Sequence, residues 1–523
     1  MPFNSVTFML LASTVITLVF FVKPVSERLP KYLIIGASFG FYALWNPRDI
    51  PVLLLSLFAN FVFSFLITRS AGHQKPKWLI LGVLFNVSLL LWFKFGGSIS
   101  ALLTGLHLEH SEERGLPLGI SFFTFQQIAY LVSASKSGQR VKAEDYVFVI
   151  TFFPHLIAGP LVQHKNVIQQ LNMPSIFRFN PVNVFAGFTL FVIGLSKKVL
   201  IADPLGLYSK TIFSGADAAV QPDVLTAWIG AVAGFLNFYF DFSGYSDMAC
   251  GLALALGLRL PLNFYSPLKA VSMDDFWNRW NITLTSFFRQ HIFRPLAGKR
   301  LAIPRHLAAL PVTMLIAGAW HGASLNFLVW GAMHGLIVTL QHAKRLYFRT
   351  PPVRRQSKTR QATGWAQTQL LLILLGCIFQ AQSLDGSWRM IKGLFGVTGG
   401  AQTIEIPSVL NSNLIDALSQ WNGLAFIGPL YSAWPTALVI AFVSVAWSIS
   451  LLAPNSIQLL RRYHPVTDPT NLLRKGSAPD ASSRKMRIVK PNAKYIAFTG
   501  VLFALCLLKI LTNAPSSFNY YNY

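Results

Sequence analysis

Negative charge is what this chain has least of: 19 acidic residues stand against 44 lysines and arginines, and residues of either charge make up only 12% of 523. With 53% hydrophobic residues and a mean hydropathy of +0.48, such a composition excludes a soluble globular or a disordered protein and points to a polytopic membrane protein. Cysteine is nearly absent. Cys250, Cys377 and Cys506 all lie inside apolar runs without a CxxC spacing, which argues against a disulfide framework or a thiolate metal site and leaves them as small core hydrophobes. There is no periodic internal repeat and no low-complexity domain. The uncharged stretch 2–22 lacks the basic leader and small-x-small cleavage site of a signal peptide, so it reads as a retained first helix.

The formal charge of +25 raises the question of nucleic acid. Its distribution answers no, because Lys and Arg gather in short connectors between apolar runs while the aromatic residues lie within those runs. Residues 344–360 hold seven basic residues and no acidic one, and residues 461–494 hold nine against Asp468 and Asp480. The positive-inside rule assigns both segments to the cytoplasm, and the second, rich in Pro, Gly and Ser, reads as a flexible loop. The connector 385–422 carries Asp385, Glu405 and Asp416 against Arg389 and Lys392 and belongs on the opposite side. Lys23, Arg28 and Lys31 after the first run place the N-terminus outside, and the last run returns the C-terminus there.

In order, the apolar runs are about 3–22, 32–47, 50–68, 78–95, 116–134, 146–163, 182–196, 224–240, 244–258, 307–322, 325–341, 366–384, 432–453 and 495–512. A bilayer core needs roughly 20 helical residues, and several runs are nearer 15, so some are tilted, kinked or re-entrant. The expectation is an all-α membrane protein of eleven or twelve spans plus re-entrant or interfacial helices.

Polar residues inside these runs are the functional candidates. Between 224 and 258 the charged residues are Asp241 and Asp247, interleaved with Ser243, Tyr245 and Ser246. Each carboxylate would cost about 2.5–3.5 kcal/mol at a helix centre unless paired or facing water. They either cap a helix break at Asp241-Phe-Ser-Gly244 or contact substrate. Next, Ser272-Met-Asp-Asp275 looks like a helix start, followed by Phe276, Trp280, Leu284, Phe287 and Phe288 at three- and four-residue spacing. That spacing predicts one amphipathic helix to about Arg289, lying at the interface with Arg279 and Asn281 towards headgroups, or lining a cavity.

The sharpest case is His321. No Asp, Glu, Lys or Arg lies between Arg305 and Lys344, yet His321, Asn326 and His334 do. From a helix start near Arg305, His321 lies about 24 Å along the axis, inside a core of about 30 Å. It is either a core histidine satisfied by a carbonyl or a desolvated neutral imidazole suited to taking a proton from a hydroxyl. Two histidines could hold a metal, but no carboxylate or thiol lies at ligand spacing, which ranks metal below base.

Five ordered motifs then carry a resemblance. FPHLIAGP (153–160), YFDFSGYSDMA (239–249), PLNFYSP (261–267), FWNRWNITLTSFFRQ (276–290) and WHGASLNFLVWGAMHG (320–335) are similar to the membrane-bound O-acyltransferase family, within it the bacterial branch of alginate and polysaccharide O-acetyltransferase membrane subunits. The resemblance covers residues 117–342 and implies a helical ring around a central tunnel, with donor entering from the cytoplasm and acceptor from the other side. It implies one acyltransferase domain over 1–523: N-terminal helices 1–115, a catalytic core 116–345, and C-terminal helices with basic loops 346–523. By the same resemblance His321 is catalytic, Asn281 its partner, and Arg279, Trp280, Asp241, Ser243, Tyr245, Asp247, His334 and His155 are substrate, oxyanion or tunnel candidates.

It further implies acetyl transfer from acetyl-CoA as co-substrate, with no bound cofactor or metal, to an exported polysaccharide such as alginate or cellulose. The setting is the bacterial inner membrane, with the lipid bilayer, extracytoplasmic acetyltransferase proteins and a polysaccharide synthase complex as partners. Two positions depart from the pattern. Asn281 stands where the alginate type has His, and Asn cannot take a proton at neutral pH, so it would orient a substrate. Gln163 stands where a basic residue is expected. A transporter or flippase, or transfer of D-alanine or a longer acyl chain, are the competing readings. A transporter should show inverted repeats with paired broken helices. The aromatic tail 516–523 is an interfacial anchor, or resembles weakly a motif that relays the acyl group or docks a partner.

Overall fold

The computed structural model describes residues 2–72, 74–104, 116–157, 159–298, 302–351, 353–397, 434–467 and 492–512; the 516–523 tail and most of 461–494 lie outside them. Every regular element among these residues is helical. The first third holds α1 (Val6–Val22), α2 (Leu29–Trp45), α3 (Ile50–Arg69), α4 (Gln74–Thr104) and α5 (Ile120–Ser137), then the short α6 (Ala143–Thr151), α7 (Phe153–Leu156) and α8 (His164–Leu171). The centre holds α9 (Pro181–Ser196), α10 (Asp203–Asp217), α11 (Val224–Ala255), α12 (Met273–Trp277), α13 (Ile282–Phe288), α14 (Arg294–Ala297), α15 (Ile303–His321) and α16 (Leu325–Tyr347). The remainder is α17 (Lys358–Gln380), α18 (Leu384–Leu394), α19 (Trp434–Leu452), α20 (Ser456–Leu459) and α21 (Ala493–Thr512).

Among the described residues six helical stretches are long and apolar enough to cross a membrane: Pro47–Arg69, Gln74–Gly96, Pro181–Asp217, Val224–Ala255, Lys358–Gln380 and Ala493–Thr512. Val6–Val22 and Thr436–Leu452 are apolar but shorter. This is an all-α polytopic membrane protein. The larger number read from apolar runs includes α5, α15 and α16, which have the length but carry polar side chains on a face turned into the protein, as helices around a cavity do. It also includes run 146–163, which is two short helices, α6 and α7.

Helix α11 is the central post: nearly all of it is buried, and α9, α10, α17 and α18 pack around it. Glycines set the closest approach. A Cβ on Gly187 would stand 2.5 Å from the Gly251 carbonyl oxygen, and one on Gly194 2.5 Å from that of Gly244, so α9 and α11 touch backbone to backbone. The α15–α16 hairpin is built alike, a Cβ on Gly331 meeting the Met314 carbonyl oxygen at 2.5 Å.

Two expectations are corrected here. The break at Asp241–Gly244 does not exist: α11 runs unbroken over 32 residues, and Gly244 serves the contact with α9. Asp241 and Asp247 cap nothing. Asp241 binds the Lys198 ammonium at 2.7 Å and Asp247 binds Lys197 at 2.6 Å, with Asp203 also 2.9 Å from Lys198. Both lysines open a π-helical segment, Lys197–Ala202, that joins α9 to α10. Burying the carboxylates is tolerable because each meets its counter-charge in place.

Nor is 272–289 one interfacial helix. It breaks after Trp277 and resumes at Ile282, with Asn281 in the left-handed region at φ 39°, ψ 54°. Arg279, only 4% exposed, faces no headgroups: its Nε donates to Asp275 at 2.8 Å and its Nη1 to the Tyr265 carbonyl at 3.1 Å.

Candidate active site

The break that presents Asn281 is held by the neighbouring motifs. Within PLNFYSP, the Asn263 carbonyl accepts from the Ile282 amide at 2.9 Å, its side-chain oxygen accepts from the Thr283 hydroxyl at 2.8 Å, and the Tyr265 amide donates to the Arg279 carbonyl at 2.9 Å. The Leu161 amide, just past FPHLIAGP, donates to the same Thr283 hydroxyl at 3.0 Å. Asn tolerates the left-handed conformation better than most residues, so the turn can form without glycine and still carry an amide. Ser272 does cap the first piece, accepting from the Asp275 amide at 3.1 Å.

His321 is the last residue of α15, half-buried, with its ring 5.4 Å from Trp330 and 4.9 Å from Phe379, edge to face with both. The preceding carbonyl, that of Trp320, accepts a hydrogen bond from Lys94 of α4, whose ammonium also lies 5.4 Å from the Trp320 ring centroid.

Two cavities flank this residue. The larger, about 330 Å³, reaches Arg345, the second residue of the basic segment 344–360. Its mouth carries Asp274, Arg289, His342 and Arg345. There Asp274 accepts from His342 Nε2 at 2.7 Å and from Arg345 at 3.2 Å, while His306 Nε2 lies 3.1 Å from His342 Nδ1. The smaller cavity, about 80 Å³, is walled by aromatic residues of α11 and α17, among them Phe238, Phe242 and Phe379, with Trp280, His334 and Gln380. Trp277, Asn281, Leu284, His321 and Trp330 line both cavities, and this shared lining is the neck.

Of the residues singled out in sequence, His321 and Asn281 thus meet in one neck, and Trp280 and His334 line the smaller chamber. His334 is buried against Trp277 and Trp330, and its Nδ1 has no hydrogen-bond partner among the described residues. The others line neither cavity. Arg279 is held by Asp275, Asp241 and Asp247 by the lysine pair, and the Tyr245 ring stacks on Phe3 at 4.4 Å. Ser243 is buried within α11, and His155 Nδ1 sits 2.9 Å from the Phe152 carbonyl oxygen. Asn326 ties α16 to the end of α17, donating to the Ala381 carbonyl at 2.8 Å. No group of three or more His, Cys, Asp or Glu suited to a metal occurs among the described residues.

Sequence reasoning missed Trp277 and Trp330 of the neck and Phe379 of the inner chamber, which are indistinguishable from core aromatics without the cavities they line, and the mouth residues Asp274, Arg289, His342 and Arg345, which come from three separate segments. Lys94 did leave a signal, as the one charged residue between Trp78 and Gly96.

The arrangement joins an imidazole and an amide at a constriction between a charged-mouthed chamber and an apolar one, which suits transfer of a group between molecules arriving from opposite sides. Known proteins are similar to this chain over much of its length. The profile of the membrane-bound O-acyltransferase family matches residues 39–381. The peptidoglycan O-acetyltransferase of Helicobacter pylori is 32% identical over 452 residues, 79% of this chain and 83% of that protein. The probable alginate O-acetylase AlgI of Pseudomonas aeruginosa is 34% identical over 411 residues, 76% of this chain and 75% of that protein. The teichoic acid D-alanyltransferase of Bacillus subtilis is 23% identical over 231 residues, 42% of this chain and 58% of its own length. Over most of its length, then, this chain belongs to the membrane-bound O-acyltransferase family.

Proposed function

We propose that the protein carries an acetyl group from a cytoplasmic thioester, acetyl-CoA by chemical class, to a hydroxyl of an exported cell-envelope polysaccharide or of a protein that serves it. The basic end of the bundle faces the cytoplasm, and both termini the other side, in the inner membrane of a bacterium. The donor enters the larger chamber, where Arg289 and Arg345 favour a phosphate-bearing molecule. His321 removes the acceptor's proton as its oxygen attacks the thioester carbonyl. Asn281 donates to the oxyanion. The tetrahedral intermediate then expels the thiolate, which takes the proton back from His321.

One observation carries the reading: His321 and Asn281 line both chambers at the neck where the two meet. The size of the inner chamber favours a short acyl group. At about 80 Å³ it is about half the size of an apolar cavity of about 150 Å³ that admits benzene, which suits acetyl better than a fatty chain.

His321→Ala tests the assignment. In a strain lacking the native copy, alkali-labile acetate on the envelope polymer should fall by about 10²–10⁴-fold with protein level unchanged, the range for loss of a general base. Near-normal acetylation in that variant sinks it. Radiolabelled acetyl-CoA given to inside-out vesicles should label the polymer, and label retained only in a soluble pool would dismiss this donor.

A further inference from the structure

Lys94 is a charged residue that the reaction above leaves unused. It lies in Gln74–Gly96, a stretch apolar enough to cross a membrane, and from Trp78 to Gly96 no other Asp, Glu, Lys or Arg occurs. An ammonium there is costly unless a partner takes it, so its partner is informative. A lysine near the end of an apolar spanning stretch ordinarily snorkels towards the interface and its headgroups. Lys94 instead turns inward and crosses to another helix. Its Nζ donates to the Trp320 carbonyl and sits over the Trp320 indole, 5.4 Å from the ring centroid.

Trp320 is one residue from His321, in the last turn of α15. Carbonyls of a last turn have no partner within their own helix, and the C-cap at Gly322 makes no backbone capping bond. A cation at a helix C-terminus is also where the helix dipole favours one. The indole that Lys94 covers is itself wedged against Phe125 at 5.3 Å and Phe288 at 6.3 Å, so the ammonium locks backbone and side chain of the same residue.

We propose that Lys94 is a positioning residue for the acyl transfer: by bonding the Trp320 carbonyl and capping the Trp320 ring, it fixes the peptide from which the His321 imidazole projects into the neck. The inference rests on the reading of His321 as the base. Lys94 touches neither substrate nor imidazole in this role. It acts by holding α15's final peptide plane, so its loss should slow the chemical step without weakening donor binding.

The experiment compares Lys94→Met, which keeps the apolar stem and loses the donor, with Lys94→Arg, which keeps charge and donors. Inside-out vesicles carrying equal amounts of each full-length variant are given radiolabelled acetyl-CoA, and transfer to the polymer is followed across donor concentration. Lys94→Met should lower kcat by about tenfold to a hundredfold, the scale of an ångström-sized misplacement, with KM nearly unchanged. Lys94→Arg should recover most of the loss, and both should melt near the wild-type temperature in detergent. An unchanged kcat in Lys94→Met overturns the proposal. So does a rise in KM at constant kcat, which would make Lys94 a donor contact, and so does equal loss in Met and Arg variants with lowered melting, which would make it a packing residue. His321→Ala runs alongside: if it stays active the base assignment itself has failed, whereas an inactive His321→Ala beside a normal Lys94→Met sinks only the role of Lys94.

Discussion

Asn281 combines two demands that one side chain seldom meets, a left-handed backbone and an amide pointing into a constriction. They can be separated by substitution. Asn281→Gly relieves any backbone cost and removes the amide, so it should melt at or above the wild-type temperature yet lose about 10²–10³-fold of transfer, as for a lost oxyanion donor. Asn281→Ala should lose the same activity and also about 1 kcal/mol of stability, because alanine pays for the left-handed conformation. Equal activity in Asn281→Gly and wild type would leave the residue a turn former only. The sequence made His321 legible, since a histidine in a 38-residue stretch without Asp, Glu, Lys or Arg has few neighbours to explain it. Arg279 was misread for a definable reason: a helical wheel assumes an unbroken helix, and the break after Trp277 turns Arg279 inward to Asp275 and Tyr265.

At the scale of elements, apolar runs located nearly every long helix, while partners across helices stayed hidden. The carboxylates of α11 show this best. Asp241 and Asp247 read as breakers or substrate contacts because the lysines that neutralise them lie some fifty residues earlier, at the end of another apolar run. Gly244 read as a hinge because a glycine that lets two helices touch has the same local sequence as one that lets a chain turn. The pairing yields its own prediction. Lys197→Met strands Asp247 in the core and should lower stability by about 3–5 kcal/mol, whereas Lys197→Met with Asp247→Leu should recover most of that, since a matched apolar pair replaces a matched ionic one. Thermal melting of the two variants in detergent decides it, and a double variant no better than the single would show that the pair does more than neutralise itself.

Across the whole molecule, five motifs spread over residues 153–335 turn out to be one object. FPHLIAGP and PLNFYSP brace the turn at Asn281, YFDFSGYSDMA anchors the central helix, and the remaining two supply the walls of the neck. What sequence could not supply was dimension. On the proposed reading the inner chamber's aromatic lining would bound the acyl group, with Phe379, 4.9 Å from the His321 ring, as one of its walls. Phe379→Leu should raise transfer of propionyl or butyryl relative to acetyl by about tenfold, the discrimination one methylene carries in an apolar pocket. An unchanged ratio, read by competing the labelled donors, would put the acyl group elsewhere.

The same neck has an electrical meaning. In an energised membrane every 100 mV is worth about 2.3 kcal/mol per charge that crosses. On the proposed reading the two chambers must therefore close to ions between turnovers, and Trp277 and Trp330, which line both, lie where such closure would have to be. Reaction and insulation then occupy the same few ångströms. A variant that widens the constriction for a bulkier acyl group should also make the host's membrane leaky to protons.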